Sequence, residues 1–138
     1  MKSSELIKKV KSPFGFEAAK EKFENLVKQS KGWSFPVPMW DFNKSIISSG
    51  FELKNIKNMV IYFLCNASYA SQIVNAQDEM STLLPCTYVI FETDNNETFL
   101  SAISIGLLAE FFPDPVTKII QEVSDIEDLI TEEMLSVK

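Results

Sequence analysis

Two apolar runs that do not alternate with polar residues stand out along the chain. Met59 to Cys65 reads Met-Val-Ile-Tyr-Phe-Leu-Cys, and Leu83 to Glu92 reads Leu-Leu-Pro-Cys-Thr-Tyr-Val-Ile-Phe-Glu. Runs of this length, rich in β-branched and aromatic residues, predict strands with no solvated face. The first run suits a strand covered on both sides, or covered on one side and closed on the other by a second molecule. The second run has the character of a central strand, buried on both faces. If the two strands are antiparallel neighbours, Cys65 at the exit of one and Cys86 at the entrance of the other share one end of the sheet.

The remaining periodicities fill in the other elements. Glu5 to Lys11 predicts a first strand, broken by Ser12-Pro13. Phe16, Ala19, Phe23, Leu26 and Val27 recur at spacings of three and four, which predicts a helix over 16–30, with Gly15 as N-cap and Gly32 closing it. Trp33 to Trp40 alternates, but Pro36 and Pro38 cannot donate ladder hydrogen bonds. That strand is therefore an edge or leaves the sheet midway. Trp40 falls on its less apolar side, either over a ligand or partner or packed under a neighbouring loop. Asp41 predicts the cap of a short helix ended by Gly50, and Asn66 opens another carrying Tyr69, Ile73 and Val74.

Cys86 to Glu92 and Thr98 to Ser104 flank the turn-forming stretch Thr93 to Glu97 and read as a hairpin. Beyond Gly106 the chain turns helical. Asp114-Pro115 predicts an N-cap with proline at the first helical position, and the Ser124/Glu127 spacing predicts a restart there through a capping box. Val116, Ile119, Ile120, Val123, Ile126, Leu129, Ile130 and Met134 make a long apolar stripe. Strands and helices do not alternate strictly, so the expected class is α+β. The expected architecture is an antiparallel or mixed sheet with its helices packed on one face. No linker or internal repeat interrupts the pattern, and residues 1–138 are expected to form a single domain.

Composition narrows the chemistry. All thirteen basic residues are lysines, with neither arginine nor histidine in the chain. Serine–histidine and cysteine–histidine nucleophile systems, HExxH zinc proteases and arginine forks for phosphate are thereby excluded within one chain. A conventional enzyme is the least favoured class. The net charge of −6 argues against nucleic acid as a partner. Residues 1–31 carry eight lysines against four acids, and residues 110–138 carry eight acids against two lysines. This asymmetry reads as a modest anion-attracting patch or as the solvated faces of two helices. No apolar stretch is long enough for a signal peptide or membrane span, so the expected setting is cytoplasmic and without membrane association. There, free thiols, a metal pair or a transient redox pair are favoured over a structural disulfide.

The candidate site is the corner formed by Cys65, Asn66, Pro85 and Cys86. Two thiolates there suit a soft ion such as Cu(I), or half a tetrahedral zinc site completed by a second subunit. They also suit disulfide or persulfide exchange, for which the helix beginning near Asn66 offers its dipole to Cys65. The competing reading is that both cysteines are small buried hydrophobes. Asp94 and Glu97 lie on a solvated turn, and Asp125, Glu127 and Asp128 read as a helix N-terminal cluster. Neither set predicts an acid–base pair. No cofactor is specified by any motif.

Cys65-Asn66 closing one apolar strand and Leu84-Pro85-Cys86 opening the next resemble the domain of unknown function 302 family. In that family a strand ends in Cys-Asn-Pro or Gly-Asn-Pro, and the next opens with Leu-Pro-Cys or Met-Pro-Cys. Phe16-Glu17-Ala18-Ala19 resembles its opening helix, and the likeness runs through nearly the whole chain. It implies an α+β fold similar to the TATA-binding-protein-like class, commonly dimeric, with no settled activity. The chain departs at Ala67, where the family has proline, which implies a looser corner. Two readings follow. One is a small dimeric binding module for a soft metal, sulfur species or small ligand. The other is a structural or interaction domain whose cysteines are core.

Overall fold

The two apolar runs lie side by side. In the computed structural model, which describes residues 2–138, they form strand β4 (Ile56–Asn66) and strand β5 (Cys86–Thr93), paired antiparallel with Val60 opposite Ile90 and Leu64 opposite Cys86. Strand β6 (Thr98–Ile103) returns from β5 through the expected hairpin, whose Asn96 takes a left-handed φ of 62°. Asparagine is one of the few side chains that tolerate this conformation.

Strand β1 (Ile7–Lys11) adds to β6. The turn of helix α1 (Ser3–Leu6) takes up Glu5 and Leu6, so the first strand is shorter than the sequence predicts. Beyond β4 lie two short pieces, β2 (Trp33–Ser34) and β3 (Trp40–Asp41). They pair with different parts of β4, and Pro36 and Pro38 fall in the excursion between them. The sheet order is β1-β6-β5-β4-β2, with β3 also on β4, and every pairing is antiparallel. The fold is therefore α+β with an antiparallel sheet.

Helices α2 (Phe16–Gln29) and α5 (Val116–Leu135) cover one face, with α4 (Ala67–Ala76) beside them. The core is aromatic. Phe23 is fully buried, stacks on Tyr88 with centroids 4.3 Å apart and packs on Tyr62 at 4.9 Å. The Tyr62 hydroxyl donates to the Glu24 carboxylate at 2.9 Å, so the polar tip of this buried ring is satisfied from α2. Helix α3 (Phe42–Ser48) is capped by the Asp41 side chain, as predicted. Its Asn43 carboxamide accepts from the Met59 N–H at 2.8 Å, which occupies a stretch of β4 edge that no strand pairs.

The last helix does not restart at Ser124. α5 runs unbroken through it, and Pro115 sits at the N-cap rather than at the first helical position. Ser124 and Glu127 have capping-box spacing because each does something else. Ser124 approaches Gly106, where a Cβ would lie 2.6 Å from the serine Oγ. Glu127 turns toward β5. The acidic trio Asp125, Glu127 and Asp128 is accordingly mid-helix, not at an N-terminus. Among the described residues no helix is long and apolar enough to cross a membrane.

Candidate functional site

The two faces of the sheet differ. Val60, Tyr62, Leu64, Tyr88, Ile90 and Leu100 point to the helices and are buried. Their sequence neighbours Ile61, Phe63, Val89 and Phe99 point the other way and are only partly buried, while Phe91 on that same side is buried against Phe99. The pleat therefore decides the fate of the two cysteines. Residues directly opposite on neighbouring strands share a face, and adjacent residues of one strand do not. Leu64, not Cys65, faces Cys86. Cys65 opposes Ser34 on β2 and stands one residue out of step with Cys86, which shares Leu64's side of the sheet. Both residues stand at the same end of the sheet, as expected, but the two-thiol corner does not form. Both cysteines are free. Among the described residues no group of three or more histidine, cysteine, aspartate or glutamate side chains is placed to hold a metal.

Asn66 has a structural task. Its side-chain oxygen accepts from the Tyr69 N–H at 3.3 Å and caps α4. Ala67 is the first helical residue, a position that proline favours and alanine fills without strain, so the corner is held by the cap rather than loosened. Gly32 lies against the same asparagine. Its φ of +84° favours glycine, and a Cβ there would meet Asn66 Nδ2 at 2.9 Å. Cys65, Asn66 and Cys86 border a small apolar cavity of about 40 Å³, walled also by Trp33, Tyr69 and Ile120.

A larger groove opens where the sheet comes apart. The β5–β6 ladder ends at Tyr88 opposite Ala102, so Cys86 and Thr87 have no partner on β6. Past Ile103 the chain swings away, with the Ser104 N–H donating to the Leu6 carbonyl at 2.8 Å. It then forms the 3₁₀ segment Ile105–Phe111, drawn onto α5 by the Gly106–Ser124 approach. The space left is about 400 Å³ and is bounded by Leu84, Pro85, Cys86, Ile105, Leu108 and Glu127. Of the four residues expected from the sequence, Pro85 and Cys86 line it, while Cys65 and Asn66 do not. The Leu84–Pro85 peptide is cis.

Glu127 is the residue that sequence reasoning misplaced, at a helix N-terminus rather than mid-helix on the inward stripe. The buried stripe of α5 runs Val116, Ile120, Val123, Ile130, Met134. Glu127 falls between Val123 and Ile130, at alternating spacings of three and four. Leu129, counted in the stripe from sequence, is 60% exposed. An acid on the inward stripe was the available signal. Burial in these apolar surroundings pushes the Glu127 carboxyl up to about 7. A hydrogen bond with the Cys86 thiol opposes this, and the Asp128 charge adds to it. The thiol moves in the other sense from a nucleophile's. Burial, then the Glu127 carboxylate beside it, raise Cys86 to about 12. A reactive thiolate needs a depressed value, so thiol–disulfide and persulfide exchange are not favoured at Cys86. The Tyr88 hydroxyl, deeply buried near Thr131 and Glu127, is pushed up to about 12 chiefly by the same burial.

An open-faced antiparallel sheet, helices on its other face and a groove at one sheet end define a small α+β module. The chain belongs to the family described as Domain of unknown function DUF302, which matches residues 8–134. Its structure is similar to the crystal structure of an uncharacterized conserved DUF302 protein from Bacillus stearothermophilus, with a TM-score of 0.80. That match has 19% identity and covers 94% of this chain and 98% of that one, and at this identity it speaks to the fold. No curated protein matches the chain.

Proposed function

We propose that the chain is a small dimeric binding module whose ligand site is the groove at the Cys86 end of the sheet. The observation that carries this reading is an apolar groove of about 400 Å³ with the Glu127 carboxyl and the Cys86 thiol in its wall. That size lies in the range of small-molecule sites, and a few convergent polar groups in an apolar wall are how such sites fix a ligand's orientation. The chemistry is recognition rather than reaction, since burial and the neighbouring Glu127 carboxylate hold the Cys86 thiol protonated.

Titration with 1-hexanol, followed by amide chemical shifts, tests the reading. Shifts should concentrate at Leu84, Cys86, Ile105 and Leu108, and Leu108→Trp should abolish them by filling the groove. Absence of saturable shifts in the unmodified protein would remove the ligand-binding reading. It would leave the second one, a protein-interaction domain without chemistry, which the uncovered sheet face favours.

The dimeric part of the proposal rests on that open face. Ile61, Phe63, Val89 and Phe99 are too apolar together for a solvated surface, and antiparallel sheets stack face to face about 10 Å apart. Its lysines lie toward the β1 edge, with Lys9 Nζ 4.7 Å above the Phe99 ring. A two-fold axis between the faces and along the strands would set each β1 edge over the partner's Trp40 edge. Like charges would then be kept apart.

A further inference from the structure

We propose that the groove beside Cys86 binds a small organic cation, a primary ammonium carried on an apolar body. The inference rests on the reading that this groove takes a small ligand, and it names the ligand's chemistry. Ile105, Leu108 and Leu84 supply walls that reward an aliphatic or aromatic body. Glu127 supplies the one acidic group in that wall, and no cation of the protein serves it. The groups around it are the Cys86 thiol and Tyr88 hydroxyl on β5, with Asp128 and Thr131 on its own helix. Lys8 on β1 reaches α5 nearby, but its ammonium lies 3.4 Å from Asp128. Among the described residues, no ion pair includes Glu127.

Alternative ligand classes fit less well. An anion would meet Glu127 and Asp128 in a chain of net charge −6. A neutral ligand leaves the carboxylate buried and unpaired once it ionises, which is costly. A metal ion would find too few ligands, since no cluster of three stands here among the described residues. An alkylammonium brings one positive charge and three donors, enough for the carboxylate and a neighbouring acceptor. Because burial raises the Glu127 carboxyl to about 7, the site is charged above neutrality and discharged below it. Capture of the cation should therefore strengthen as pH rises from 5.5 to 8.

The test compares two probes of the same shape, n-hexylamine and 1-hexanol, by calorimetry and amide chemical shifts at pH 8. A lysine-type amine, with a pKa of about 10.4, stays protonated there. Hexylamine should bind the unmodified protein roughly ten- to a hundredfold more tightly than hexanol, the worth of a charge-assisted hydrogen bond. Glu127→Gln should lower hexylamine to the hexanol level and leave hexanol unchanged. Moving the unmodified protein to pH 5.5 should do the same without any substitution, so the result does not depend on the variant folding. Equal affinity for the two probes at pH 8 would overturn the cation inference while the small-ligand reading stood. Failure of both to bind would overturn both. A hexylamine preference that survives Glu127→Gln and pH 5.5 alike would place the amine elsewhere and also overturn the inference.

Discussion

Neighbouring residues of β4 have opposite fates. Tyr62 is 2% exposed, locked under α2 by Phe23 and Glu24. Phe63, as apolar and one residue on, is only partly buried on the opposite face, at the rim of the groove. The same division holds at Tyr88 and Ile90, which are sealed in, against Val89, which is not, but Phe91 on Val89's side is buried against Phe99. An antiparallel sheet that meets water on one face ordinarily alternates apolar and polar residues. This one does not, so the open face carries the composition of an interface and the covered face that of a core. The groove lies where the two meet. Its walls include Cys86 and Glu127 from the covered side and Phe63 and Thr87 from the open side.

The largest effect that sharpens this contrast is on the covered face. Phe23 has no exposed surface and touches Tyr62, Tyr88 and Phe35. Phe23→Ala should cost about 3–5 kcal/mol, the usual loss for a buried phenylalanine with the cavity it leaves. Chemical denaturation measures it. A loss below about 1 kcal/mol would mean that the aromatic layer under α2 is not the core.

Next in size is the pH dependence set by Glu127. Folding raises its carboxyl from the ordinary 4.5 to about 7. Between these values the folded chain keeps a proton that the unfolded chain has released. Its contribution is fully present below pH 4.5 and is lost as pH rises through 7. The amount is on the order of 1–3 kcal/mol after allowing for solvent access to the groove. Denaturation midpoints at pH 5 and pH 8 should show this loss in the unmodified protein and much less of it in Glu127→Gln. Identical pH profiles for the two proteins would put Glu127 in water.

Smaller again is the cap at the other corner. Asn66→Ala removes the acceptor for the Tyr69 N–H and should cost about 1 kcal/mol, read by thermal or chemical denaturation. Hexanol binding in the groove should be unaffected, because Asn66 does not line it. A loss of binding in this variant would join the two corners into one site.

How far these features were legible in the sequence follows from what each depends on. The positions of β4, β5 and β6, the hairpin, the Asp41 cap, the helix start at Asn66 and the helical face of α2 are local, and local pattern predicted them. That Met59 to Cys65 lacks alternation implied either two covers or one cover and closure by a second molecule, and the helices supply one of those covers. The fate of the cysteines was not local. It turns on a one-residue difference in register between β4 and β5, which swaps faces and which spacing along the chain does not contain. Glu127 was visible in principle as an acid on the α5 stripe. The Ser-x-x-Glu spacing around it offered a simpler local explanation, and only the approach of Gly106 to Ser124 shows why that explanation fails.

The smallest expected change in stability belongs to the substitution that most directly tests the contrast between the faces. Ile61 lies on the open side, opposite Val89 on β5 and Trp40 on β3. Trp40 is itself 43% exposed and is steadied by its indole N–H donating to Ser45 Oγ at 2.8 Å. Ile61→Lys puts a charge at the centre of this face but disturbs nothing beneath the helices. The monomer should lose less than about 1 kcal/mol, the span of strand preference at a half-buried site. If a second copy closes the face, the same lysine must be desolvated against its symmetry mate, so the unmodified protein should sediment as a dimer and the variant as a folded monomer. An unmodified protein that sediments as a monomer at high concentration would assign the open face to a different partner. A variant that unfolds instead of dissociating would mean that the open face is core after all, and the division drawn between Tyr62 and Phe63 would fall with it.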